Sequence, residues 1–254
     1  MRASKVPEVT IGFWVIKILA TTLGETGGDA ATMSLGLGYA LGSLIFIGLF
    51  ALAVAAQLRA KSYHPFLYWA VILATTTAGT AMADFGDRSL GIGYLGGSLV
   101  MASLLAIALG AWFRTTGSLA VDHFVPPRDE VFYWAAILFS QTLGTALGDW
   151  LANMDGVGFG GAAVVFGAGI AFVALCYFFT NLSRTLLFWS AFILTRPLGA
   201  TLGDLLDKPV AEDGLNFSRA SASLLLAAAL VVLIAALPKR AASPQPSRGA
   251  AESD

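Results

Sequence analysis

Four aspartates, Asp29, Asp84, Asp149 and Asp204, recur at a fixed place in a repeated apolar pattern, each fifteen residues after a tryptophan and five after a glycine. Carboxylates held at one depth in an apolar setting suit a hard cation, because Asp and Glu oxygens with hydroxyl and backbone carbonyl partners are the ligands such ions prefer. Counting back at helical spacing, positions four, seven and eight before each Asp share its face. Four before stand Glu25, Thr80, Thr145 and Ala200; seven before, Thr22, Thr77, Thr142 and Pro197; eight before, Thr21, Thr76, Gln141 and Arg196. Lys17 continues this polar stripe in the first copy only. Candidate ion-binding residues are therefore Asp29, Asp84, Asp149, Asp204, Glu25, Thr22, Thr77, Thr142 and Gln141, the five carboxylates among them being the candidate metal ligands. Lys17, Arg196 and Pro197 break the repeat and are candidates for coupling or gating.

The absences narrow the chemistry. His64 and His123 fall in predicted loops, and the one cysteine, Cys176, lies in an apolar run. Copper, nickel and zinc thus lack their usual ligands, and haem lacks its histidine. Magnesium, manganese, calcium, sodium or protons remain. No nucleophile with a base and an orienting group is visible, so an enzyme is not expected. No cofactor is expected beyond a bound cation, and no nucleic-acid partner.

The elements carrying these residues read as membrane helices. Of 254 residues 57% are hydrophobic and 12% charged, the mean hydropathy is +0.75, and about a quarter of a soluble chain is charged. Eight apolar stretches approach the ~20 residues that cross a bilayer. Unbroken apolar runs exclude the alternation of a membrane barrel. The expected helices cover about 8–29, 36–58, 65–85, 91–114, 129–153, 157–179, 185–206 and 214–237, and no removable signal peptide is expected.

The tryptophans Trp14, Trp69, Trp134 and Trp189 are spaced by 55, 65 and 55 positions, so the first half maps onto the second by a shift of 120. Four two-helix repeats, about 8–63, 64–118, 129–183 and 184–238, make halves 1–118 and 126–239 of a single domain 1–239. The tail 240–254, rich in Pro and Ser, reads as disordered. Gly36, Gly91, Gly156 and Gly214 open the even helices, each with an aromatic three later (Tyr39, Tyr94, Phe159, Phe217). The fold class is an all-α integral membrane protein of eight transmembrane helices, with pseudo-two-fold or four-fold symmetry along the membrane normal.

Lys and Arg favour the cytoplasmic side of short loops. Arg2, Lys5, Arg59, Lys61, Arg114, Arg128, Arg184, Lys239 and Arg240 fall on one side, against Arg88 and Lys208 on the other. Both termini and the tail are expected in the cytoplasm, the chain in a cell (inner) membrane, and every Asp at the outer end of its helix.

With Trp14, Trp69, Trp134 and Trp189 and the Gly and Asp that follow each, the chain from about 9 to 237 resembles a bacterial multi-pass membrane family of four tandem two-helix repeats whose function is unknown. The resemblance implies the architecture and no activity. A charge at the bilayer centre costs about 2.5–3.5 kcal/mol or more, so four polar stripes must face a bundle interior. The expected function is a membrane transporter or channel for a hard or proton-coupled cation, its partners being the lipid bilayer and that cation. A carrier of a small organic cationic solute, its amine stacked on the aromatics Tyr39, Tyr94, Phe159 and Phe217, is one alternative. A non-transporting scaffold or sensor is another, and a homo-oligomer stays open. Plainer roles compete residue by residue: each Asp solvated at a helix end, the glycines as packing surfaces, the tryptophans as interfacial anchors, Lys17 and Arg196 as partners of Glu25 and Asp204, His123 exposed, and Asp87, Asp207, Glu212 and Asp213 as solvated loop charge.

Overall fold

A computed structural model describes residues 5–119 and 127–237. The expectations for Arg2, His123, Lys239, Arg240 and the tail 240–254 lie outside these residues, as does the side chain of Arg128. Eight α-helices occur among the described residues: α1 (Ile11–Asp29), α2 (Gly38–Arg59), α3 (Pro65–Asp84), α4 (Gly93–Thr116), α5 (Pro127–Ala152), α6 (Gly158–Phe179), α7 (Arg184–Asp207) and α8 (Arg219–Ala236).

The odd helices form the inside. α1 packs against α3 and α7, and α5 packs against the same two, which closes a ring of four. Each even helix lies against the odd helix that follows it, α2 on α3, α4 on α5 and α6 on α7, and α8 returns to α1. Of the most apolar stretch of α3, α5 and α7, 61 to 67% is buried, against 11 to 22% for the even helices. The even helices accordingly turn Leu44, Leu52, Leu99, Ile107, Val164, Phe172, Leu224 and Leu225 outward.

Seven of the helices are long and apolar enough to cross a membrane. The exception among the eight is α1. α1 carries Lys17, Glu25 and Asp29, all buried among its neighbours, and these charges lower its apolarity while the ring encloses them. α1 also begins later than Glu8, because Thr10 caps it by accepting a hydrogen bond from the Phe13 N–H (3.3 Å).

The glycine of each repeat is explained by close helix approach. A Cβ on Gly24 would stand 2.5 Å from Thr76 Cβ, one on Gly79 3.1 Å from Gln141 Cβ, one on Gly144 2.5 Å from Arg196 Cβ and one on Gly199 2.5 Å from Thr21 Cβ. The same interlock thus recurs at all four interfaces of the ring. In each, the residue eight before one Asp fills the notch left by the glycine of the adjoining odd helix, and small residues are what permit such approach.

Three of the four repeat tryptophans pack inside the protein rather than standing exposed as interfacial anchors would. Trp69, Trp134 and Trp189 are buried in an aromatic cluster that closes the end of the ring opposite the aspartates. Tyr68 and Tyr133 hydrogen-bond through their hydroxyls there (2.9 Å), and Trp112 of α4 stacks edge-on against Tyr133 and Trp189. Of the four repeat tryptophans, only Trp14 is partly exposed.

At the aspartate end the repeats diverge. After Asp29 and Asp84 the chain continues into π-helical turns, Ala30–Ser34 and Phe85–Ser89, before paired glycines of positive φ (Gly36 and Gly38, Gly91 and Gly93) start the next helix. In the fourth repeat α8 starts at Arg219 rather than at Gly214. The residues before it run back along the end of α7, where Leu215 and Phe217 donate their N–H groups to the carbonyls of Leu205 (2.7 Å) and Leu206 (2.8 Å) and Asn216 donates to that of Lys208 (2.9 Å). Those bonds satisfy carbonyls that a helix terminus leaves open and fix Lys208 in place.

Candidate functional site

All four repeat aspartates are buried, at 1 to 3% exposure, which excludes the reading of each as a solvated helix end. They come together as two pairs, each bridged by a cation from the turn after an odd helix. Lys208 Nζ lies 2.5 Å from Asp29 Oδ2 and 3.1 Å from Asp204 Oδ1. Arg88 Nε lies 2.9 Å from Asp84 Oδ1, and its terminal nitrogen is 3.7 Å from Asp149 Oδ2. Arg88 also donates to the Tyr39 hydroxyl (3.2 Å) and lies over that ring. An aromatic expected to stack on a bound amine is therefore used by a side chain of the protein itself.

Arg88 and Lys208 were expected as loop charges, and so were Asp87 and Asp207. The structure buries Asp87, Asp207 and Lys208. Burial alone would lower the Lys208 ammonium, but Asp204 and Asp29 beside it outweigh that and hold it well above the usual lysine range. A sequence signal for both cations existed: each follows its Asp by four residues, and the shift of 120 carries Asp84, Asp87 and Arg88 onto Asp204, Asp207 and Lys208.

The two halves differ in what the extra acid does. Asp207 joins Asp29 and Asp204 in a group in which one carboxylate oxygen from each lies within 4.8 Å of the other two. Ligands about 2.0–2.6 Å from an ion on opposite sides are separated by about 4–5 Å, so the spacing suits one hard cation. Neither oxygen of Asp207 has a hydrogen-bond partner, although Arg219 Nε comes within 3.5 Å of one of them. Asp87 instead turns toward α4, where a Cβ on Gly97 would stand 1.9 Å from its Oδ1, and its oxygens are unpartnered too. Among the described residues, Asp29, Asp204 and Asp207 make the one such group of three.

One turn deeper, Arg196 fills the middle of the ring. Its guanidinium donates to Glu25 Oε2 (2.9 Å), Thr80 Oγ1 (2.6 Å), Thr145 Oγ1 (2.6 Å) and the Thr21 carbonyl (3.4 Å). Thr80 in turn donates to Glu25 (3.2 Å). One side chain of α7 thereby reaches α1, α3 and α5. Glu25 is engaged here and is not gathered with Asp29, Asp204 and Asp207. Arg196 pairs with Glu25 rather than with Asp204, and among the described residues Lys17 pairs with no carboxylate: its Nζ has no hydrogen-bond partner there and lies 4.1 Å from the centre of the Phe192 ring.

The remaining expected residues have local roles. Thr22, Thr77 and Thr142 each donate to a carbonyl of their own helix, those of Ile18, Leu73 and Leu138. Gln141 is buried with neither its Oε1 nor its Nε2 bonded. Pro197 lies inside the continuous α7 directly after Arg196, removing the N–H that the Ile193 carbonyl would otherwise accept.

Fold and site together define a helical-repeat bundle whose inner helices hold ion pairs at two levels. The chain matches the family described as Repeat of Unknown Function (DUF347) four times over, at residues 12–63, 67–118, 132–183 and 187–241, and it belongs to that family. No curated protein and no solved structure matches it.

Proposed function

We propose that this protein is a carrier for a hard cation in a cell membrane, with the inner ring as the binding path and the even helices facing lipid. Asp29, Asp204 and Asp207 bind the cation, and Lys208 is a tethered occupant that yields to it. The observation that carries this reading is the seat of the Lys208 ammonium between two buried carboxylates, with the third carboxylate alongside, paired with Arg219 at 3.5 Å but accepting no hydrogen bond among the described residues. A group that already accommodates one positive charge offers a second cation a site without new burial of unpaired acid.

A carrier fits better than an open channel, because Arg196 and its partners close the middle of the ring and the aromatic cluster closes the Trp end. The loop basicity supports a cytoplasmic location of both termini and repeats related along the membrane normal, and an inner membrane is the proposed address. The ammonium seat also supports a second substrate class, a small organic amine, since the same oxygens hold an alkylammonium now.

The test is binding by the purified full-length protein, read as thermal stabilisation by manganese or calcium on one arm and methylammonium on the other. Stabilisation by a divalent ion that Asp204→Asn removes supports the first class, stabilisation by methylammonium alone supports the second, and neither would point to a scaffold.

A further inference from the structure

We propose a second binding site, for a small monovalent anion such as chloride, on the Trp side of Arg196 and distinct from the carboxylate end. Three buried donors at this level have no acceptor among the described residues, Lys17 Nζ, Gln141 Nε2 and Arg196 Nε, and the Gln141 Oε1 beside them has no donor. They come from α1, α5 and α7, all three residues are fully buried, and they stand at neighbouring turns. Lys17 rests over Phe192, one turn before Arg196 on α7. Gln141 lies one turn before Thr145, which accepts from Arg196.

Charge makes the site one for an anion. The layer holds two cations, Lys17 and Arg196, and one carboxylate, Glu25, already bonded to Arg196. With every group ionised, one positive charge is left without a partner among the described residues. A buried ammonium beside a guanidinium either loses its proton or takes a counter-ion, and the face of Phe192 against Nζ favours the charged form. A monovalent anion balances the layer, accepts from Lys17 Nζ and Arg196 Nε and leaves the Gln141 amide to complete its shell. A divalent anion overcompensates the layer.

The site does not depend on the carrier reading, since none of its residues touches the aspartate pairs. Full-length protein in detergent, in sodium gluconate of constant ionic strength, is titrated with chloride while its unfolding temperature is followed. Wild type is expected to gain stability saturably, Lys17→Met to need at least about tenfold more chloride for the same gain, and Asp204→Asn to respond as wild type does. An equal response in Lys17→Met, or none in wild type, overturns the proposal. Should Lys17→Met fail to fold, crystals of wild type soaked in bromide give the answer: an anomalous peak beside Lys17 Nζ supports the site, and its absence overturns it.

Discussion

Lys208 Nζ and Asp29 Oδ2 are 179 residues apart in the chain and 2.5 Å apart in space. Their contact closes the ring of inner helices between its first and last members, because Asp29 ends α1 and Lys208 caps α7. If the ammonium occupies the place of a substrate cation, Lys208→Met takes the cation from between Asp29 and Asp204 and leaves Arg219 as the remaining cation beside Asp29 and Asp207. Divalent cations should then stabilise the purified variant at concentrations at least about tenfold lower than wild type needs, a gain of about 1.4 kcal/mol in binding. Loss of cation binding in Lys208→Met would assign the lysine a purely structural role.

The two aspartate pairs should not behave alike. Asp207 adds its carboxylate to the Asp29 and Asp204 pair, whereas Asp87 turns away toward Gly97. Asp204→Asn is expected to abolish cation-dependent stabilisation, and Asp84→Asn to weaken it no more than severalfold. Equal losses in a titration of the two variants would mean that the ion is shared by all four carboxylates.

Glu25 and Arg196 form a buried pair, and removing one partner of such a pair costs about 3–5 kcal/mol because a charge is left stranded. Glu25→Gln should therefore be strongly destabilised in denaturant unfolding. The double variant Glu25→Met with Arg196→Met should recover a large part of the loss, giving a sizeable coupling energy in the double-mutant cycle. Additive losses would contradict the pairing.

The glycine notches make a prediction independent of function. A Cβ at Gly79 would stand 3.0 Å from the backbone of Gln141 and Thr142, whereas one at Gly110 meets nothing within 4 Å. Gly79→Ala should cost about 1–3 kcal/mol through overpacking, and Gly110→Ala should be close to neutral. Thermal unfolding of the two variants side by side separates these outcomes.

Lys208 also sets an expectation for pH. A lysine raised by its partners contributes stability that is fully present below its ordinary value of 10.5 and is lost only as pH rises through the raised value. Between neutrality and that ordinary value the Lys208 contribution should stay flat. A fall in unfolding temperature over that window in wild type that Lys208→Met lacks would show that the ammonium titrates early.

The architecture was legible because a shift of 55, 65 and 55 between tryptophans is a property of the chain and survives any folding. The glycines and the inward stripes followed from helical spacing. What escaped was set by approach in space. Nothing in the spacing alone said that Arg196 would reach three other helices, or that the turns after α3 and α7 would fold inward and bury Asp87, Asp207 and Lys208. Reading Arg88 and Lys208 by loop position hid that each lies one helical turn beyond a buried Asp. The tryptophans were misassigned for a related reason: an indole suits a lipid interface and the centre of an aromatic cluster equally, and only packing decides.

The most direct measurement is uptake of manganese into liposomes containing the full-length protein, compared with liposomes carrying Asp29→Asn or Asp204→Asn and with protein-free vesicles. A cation carrier of this design gives uptake well above the empty vesicles in wild type and a loss of at least about tenfold in either variant, equivalent to 1.4 kcal/mol or more. Uptake in both variants equal to that of wild type would contradict a binding role for the buried aspartates, and no uptake of manganese, calcium or methylammonium by wild type would contradict transport itself.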